Sequence, residues 1–355
     1  MIVDVTGFGW SGSGAVTDLL REYREVDSPV NIGDWEFTLL HSVDGVRDLD
    51  YKLNKKHCRI YDSDIAINRF LHLCRVLNDN KVFGYYDLYH GKFYQYCEEY
   101  IRELTQFSFK GRSFYYERVF ANKYDGCIRF INRITGFLFN NRLSLKIFGS
   151  SFYNKLFVKR QHEMRVAYNP DNFEKATKQF ISLLLKAVRS DERKVLITDQ
   201  MLPADNPADY LCYFEEEVKC IIVKRDPRDL YVLSKCIYSG NIPIPSHDVN
   251  VFIQYYKTII GTNHVTDSRV MYVNFEDLIY RYEETVLKIQ QFIKIEEHAD
   301  AHLHFKPEVS INNTQLYTKY PYLKNDIMCI ENELHDFLYN FDEFDLKPSN
   351  IKTSF

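Results

Sequence analysis

One feature near the start of the chain restricts the fold more than any other. Residues 3 to 8 read as a short buried strand, and Gly7-Phe8-Gly9-Trp10-Ser11-Gly12-Ser13-Gly14 as a tight turn. Residues 13 to 23 then carry Val16, Leu19 and Leu20 at helical spacing. Strand, glycine turn and helix in that order open an α/β unit. Glycines let the backbone close around an anion, and the helix behind them offers free N–H groups and the positive end of its dipole. The same turn could also serve as a plain strand-to-helix connection. Its place after a first strand is what favours the anion.

The alternation resumes further along. Residues 63 to 77 form an amphipathic pattern with Ser63 as N-cap, and 172 to 189 form a helix after Asn169-Pro170. Lys194-Val195-Leu196-Ile197-Thr198, Cys220-Ile221-Ile222-Val223 and Val270-Met271-Tyr272-Val273 are short apolar strands, with helices over 249–260 and 283–293. Such a sequence predicts a parallel sheet covered by helices on both faces. Residues 80 to 170 read as helical and irregular, without clear strands.

Composition excludes several classes. With 355 residues, 45% of them apolar and 26% charged, the chain can bury a large core as one domain or two. No apolar run approaches the roughly 18 residues a membrane span needs. The opening Met1-Ile2-Val3-Asp4-Val5 has an acid where a signal peptide has basic residues. Eight cysteines, none in a CxxC pair and none at metal-finger spacing with histidine, fit neither a disulfide framework nor a structural zinc. A cytoplasmic protein without a metal is expected.

The net charge of −4 is unevenly spread. Between Lys110 and Arg165 there are twelve basic residues, among them Arg129, Arg133 and Arg142, against three acids. That is a net +9, which leaves −13 for the rest. Phe and Tyr are interleaved throughout this stretch. It could meet an anionic glycan, a nucleic acid or a membrane surface, or be a solvated helical face.

A second motif is the most informative. In Lys219-Cys220-Ile221-Ile222-Val223-Lys224-Arg225-Asp226-Pro227-Arg228-Asp229, a buried strand delivers Arg225 at its C-terminal end, where open parallel sheets bind ligands. A helix follows, with Pro227 at its first position and Ser234 beyond two turns. By itself Arg225 could equally pair with Asp226 or Asp229.

These stretches together resemble the sulfotransferases that use 3′-phosphoadenosine 5′-phosphosulfate (PAPS), in particular bacterial, carbohydrate-type members. The Arg-Asp-Pro-Arg-Asp strand end with a later serine is similar to their 3′-phosphate site. Gly9-Trp10-Ser11-Gly12-Ser13-Gly14 resembles their 5′-phosphosulfate loop, Tyr272 to Leu278 their strand-helix unit, and Phe305 to Thr314 their nucleotide-closing loop. The likeness covers residues 2–26 and about 194–316. It implies a P-loop-type three-layer α/β fold over 1–355, with a helical, basic and aromatic insertion at about 60–170 facing the acceptor. It implies sulfuryl transfer from PAPS to a hydroxyl, probed most naturally on a carbohydrate or surface glycan, with no metal and no nucleic acid. A peripheral membrane contact stays open.

The resemblance assigns the donor to Gly9, Trp10, Ser11, Gly12, Ser13, Gly14, Arg225, Ser234, Ser310 and Asn313. The acceptor proton goes to Glu36, in the stretch Val30 to Phe37 that would end a presumed second strand, with His41 as the second choice. Two departures stand out. Trp10 occupies the place where the family has a cation for the leaving phosphate, so Arg47, Lys52 or Lys224 would have to supply it. The serine also comes one residue late, about 100° around a helix, with Leu233 in its place. Two rival readings remain. A P-loop kinase is opposed by Ser13-Gly14 standing where Lys-Ser/Thr belongs, and a nucleotide-binding protein without transfer is favoured by Trp10.

Overall fold

The computed structural model describes residues 1–29, 36–56, 60–111, 162–190, 193–261, 265–296, 302–345 and 348. Its centre is a five-stranded sheet. In chain order the elements that matter for function are β1 (Ile2–Gly7), α1 (Ser13–Leu20), β2 (Val26–Asp27), α2 (Ile60–Asp79), α3 (Phe93–Leu104), β3 (Phe107–Gly111) and β4 (His162–Val166). There follow α4 (Phe173–Val188), β5 (Val195–Asp199), β6 (Val218–Lys224), α5 (Pro227–Val232), α6 (Val249–Tyr255), β7 (Val270–Asn274), α7 (Tyr282–Ile293), α8 (Pro307–Ser310) and α9 (Lys324–Glu333).

The sheet order is β2-β5-β1-β6-β7, and every neighbouring pair is parallel. Alternation along the strands explains why both faces are covered. Ile2, Leu196, Cys220 and Ile222 point into one core with α2, α3 and α4, while Val3, Val5, Ile197, Ile221 and Val223 point into a second with α1 and α7. A third cluster joins α5, α6 and α9 beside the sheet. The result is an α/β sheet with helices on both sides. The first part of the expected insertion, α2 and α3, therefore belongs to the same core as the sheet.

The connections out of β1 and β6 run in opposite directions, one towards β5 and β2, the other towards β7. That reversal opens a crevice at the carboxyl ends of these two adjacent strands, the place where such sheets bind ligands.

Two local expectations are corrected. The stretch from 80 to 170 carries an antiparallel ladder, β3 with β4, pairing Phe107 with Val166 and Gly111 with His162. Ser63 is not an N-cap: α2 begins earlier, and the buried Ser63 hydroxyl instead donates to the Arg165 carbonyl and accepts from the Ala167 N–H. Of the presumed strand end at 30–37, residues 30–35 lie outside the described residues and 36–37 are not strand; among the described residues the strand after α1 is the two-residue β2.

Candidate functional site

At the crevice between β1 and β6 lies a cavity of about 410 Å³. The glycine turn forms one wall. Gly9 and Gly12 hold φ of 79° and 95°, and Trp10 joins them at 52° although it is not glycine. A Cβ on Gly12 would come within 2.5 Å of the Phe275 ring, and one on Gly7 would overlap the Ser11 hydroxyl, whereas Gly14 faces open space. Glycine at 12 thus lets the turn press against Phe275. The turn hands over to α1, whose first turn contains no acid to compete with an anion.

Arg225, just past the end of β6, also lines the cavity. It is buried, its Nη1 donates to the Trp10 carbonyl at 3.2 Å, and its Nη2 donates to the Asn313 carbonyl. Its guanidinium also lies 5.0 Å from the Phe275 ring centre. One side chain therefore ties together segments more than 300 residues apart in the chain. Burial lowers the Arg225 pKa, while Asp229, Glu276 and Asp226 act to raise it.

The rest of the Arg-Asp-Pro-Arg-Asp motif secures the C-terminal segment. Asp226 caps α5 through the Arg228 N–H and accepts from the Tyr339 N–H at 2.9 Å. Arg228 forks onto both Asp226 oxygens at 3.0 and 2.8 Å, and also reaches Glu331 at 3.1 Å. Asp229 accepts from the Leu316 N–H at 2.7 Å. Asp229 and Glu276 are both fully buried. Burial, reinforced by the Asp226 charge, pushes their pKa values up to about 7 and about 8.

Another wall comes from the chain's return after α7. His304, Phe305, Lys306, Val309, Ser310 and Asn313 line the cavity together with Trp10, Gly12, Ser13, Gly14, Ala15, Asp18, Arg225, Leu233 and Phe275. Lys306, Asp18 and Phe275 were not singled out from sequence. Lys306 and Phe275 stand in stretches that the resemblance already covered; Asp18, on the second turn of α1, carried no signal. Lys306 brings a lysine to the cavity whose glycine turn carries Trp10. Arg47, Lys52 and Lys224 do not line the cavity. Arg47 pairs with Asp209 at 3.3 Å, Lys52 with Asp44 at 2.6 Å, and Lys224 sits 4.4 Å over the Tyr272 ring.

Ser310, Asn313 and the turn thus converge with Arg225. Ser234 does not join them. Its buried hydroxyl lies 2.8 Å from both the Ile244 carbonyl and the Ser246 hydroxyl, and its neighbour Leu233 faces the cavity instead. The helix widens there to i→i+5 bonding over Leu233–Ile237. Gly9 and Ser11 shape the turn without lining the cavity.

Glu36 and His41 lie at the carboxyl edge of β5. Phe37, next to Glu36, donates its N–H to the Asp199 carbonyl at 3.0 Å, and the Tyr85 hydroxyl donates to the Glu36 carbonyl. Glu36 is exposed. The His41 Nε2 lies 2.8 Å from the Gln200 carbonyl oxygen. A carbonyl only accepts, so Nε2 carries the proton of that bond. Neither residue lines the cavity. Of the basic aromatic stretch, residues 112–161 lie outside the described residues, Arg129, Arg133 and Arg142 included. Among the described residues, no helix is long and apolar enough to cross a membrane.

Neither a protein-family model nor a curated protein sequence matches this chain.

Proposed function

We propose that this protein is a PAPS-dependent sulfotransferase of P-loop-type fold, acting on a hydroxyl of a carbohydrate or surface glycan. The observation that carries the reading is convergence. Three stretches assigned to the donor on sequence likeness, around residues 12–14, 225 and 306–313, meet around one cavity at the switch point of the sheet.

In this reading the N–H groups at the start of α1 receive the 5′-phosphosulfate, and Arg225 serves the 3′-phosphate. The acceptor oxygen attacks sulfur, forming a new S–O bond while the S–O bond to the 5′-phosphate breaks. Glu36, exposed at the carboxyl edge of β5 and outside the cavity, takes the acceptor proton only if the acceptor enters from that edge, and the charge left on the phosphate is met by the turn and by Lys306 in place of the absent loop cation. The basic aromatic stretch between 110 and 165 is assigned to the acceptor.

Calorimetry with the bisphosphate product PAP, set against ATP with magnesium, tests the donor. PAP should bind and ATP should not; the reverse result makes the kinase rival correct. Transfer of labelled sulfate to a glycan panel tests the activity. Lys306→Ala should lower the transfer rate about tenfold or more. Binding of PAP without transfer to any glycan would favour the non-enzymatic reading, for which Trp10 is the supporting feature.

A further inference from the structure

Gln200 follows β5 directly and is held at four points. Its backbone sits at φ 54°, a conformation non-glycine residues seldom adopt, with its N–H on the Val5 carbonyl at 3.0 Å and its carbonyl on His41 Nε2 at 2.8 Å. At its side chain, the buried Thr6 hydroxyl donates to Oε1 at 3.0 Å, while Nε2 donates to the Ser13 hydroxyl oxygen at 3.3 Å. Ser13 lines the cavity.

These bonds have a direction. In the structure the Gln200 amide oxygen takes the Thr6 proton and the amide nitrogen faces Ser13, so along this chain Thr6 donates to Gln200 and Gln200 donates to Ser13. With Gln200 donating to it, the Ser13 oxygen has an acceptor position filled. Its own proton is left to point elsewhere, and the cavity is the side it lines. We propose that Gln200, clamped by Thr6 and His41, is a positioning residue that orients the Ser13 hydroxyl as a hydrogen-bond donor to an anionic oxygen of a phosphate or sulfate held at the glycine turn. The inference rests on the anion reading of this cavity but not on the identity of the nucleotide. It also gives His41 a role in holding the Gln200 backbone.

A double-mutant cycle read by calorimetry tests this, with PAP and inorganic pyrophosphate as probes. Ser13→Ala and Gln200→Met should each weaken binding five- to twentyfold, and the double variant should bind no worse than the weaker single one. Thr6→Val, a near-isosteric change, should weaken binding two- to fivefold in the native background and leave Ser13→Ala unchanged. Gln200→Glu supplies a pH readout. Its carboxylate accepts from Ser13 and turns the hydroxyl away, so its affinity relative to native protein should recover as pH falls and the acid regains a proton. Independent, additive losses, or native affinity in both Gln200→Met and Thr6→Val, would overturn the inference and leave the nucleotide reading standing. Pyrophosphate binding with the expected cycle, in the absence of PAP binding, would support the inference and sink that reading. A native protein that binds neither probe would overturn both.

Discussion

Arg225 has two obligations, and they bear on how it can be tested. Its guanidinium spans the Trp10 and Asn313 carbonyls, and it is the charge set against Asp229 and Glu276 in a fully buried group. Arg225→Ala removes both functions together. The Trp10 and Asn313 carbonyls would lose their donor along with the phosphate, so a loss of PAP affinity in that variant would not separate binding from folding. Arg225→Lys keeps the charge and gives up the fork. It should melt close to native protein while PAP affinity falls about tenfold, as read by thermal unfolding beside calorimetry. Native affinity in Arg225→Lys would mean that the fork does not touch the phosphate. The sequence made this arginine conspicuous because its strand and the following Pro227 fix it at a sheet end. It could not reveal the carbonyls that Arg225 would hold, because those depend on turns whose path no local pattern encodes. Ser234 shows the same limit: a spacing of nine was readable, the switch to i→i+5 bonding that turns the hydroxyl inward was not.

At the scale of elements, the junction of β6 and α5 stores a titratable burden. Glu276 accepts the Asp226 N–H at 2.9 Å, while burial and the nearby Asp226 charge push its pKa to about 8, and Asp229 is pushed to about 7. For an acid with a raised folded-state pKa, the native protein holds protons that the unfolded chain gives up. The associated stability is full below the unfolded pKa and is lost as pH rises through the folded one. For Glu276 that window runs from about 4.5 to about 8. Glu276→Gln keeps an oxygen for the Asp226 N–H but cannot ionise. Its stability should therefore fall less between pH 5 and 8, by a difference on the order of a few kcal/mol, seen as a flatter plot of melting temperature against pH. Some slope will persist, since burial also pushes Asp4, in β1 itself, up to about 7. Equal slopes in the two proteins would show that Glu276 is ionised throughout. The strands around this junction were legible because a parallel sheet buried on both faces demands continuous apolar runs, as in Cys220 to Val223. The β3–β4 ladder was not, because its strands are five residues each, β3 is largely exposed, and its partner lies some fifty residues away. Nothing local marks such a pairing.

For the whole molecule, the cavity is made by segments from both ends of the chain, and the return segment is locked to α5. The Leu316 N–H sits on Asp229, the Tyr339 N–H on Asp226, and the Tyr280 hydroxyl within 2.7 Å of the Thr314 hydroxyl. The same segment adds Phe305, Leu316, Leu323, Ile327 and Ile330 to two of the three cores. An anion in the cavity would touch the start of α1 and this return segment together, so its binding energy should be felt by both. At a free PAP concentration a hundred times Kd, linkage gives about 2.7 kcal/mol of added stability, a rise of several degrees in melting temperature. Hydrogen exchange followed by mass spectrometry should then slow in peptides covering residues 12–16 and 305–316 to a similar degree, although some 290 residues separate them. Protection confined to the turn would mean that the return segment does not close on the nucleotide. Lys306 would then have no part in meeting the leaving charge, and the chain would need another cation to be an enzyme.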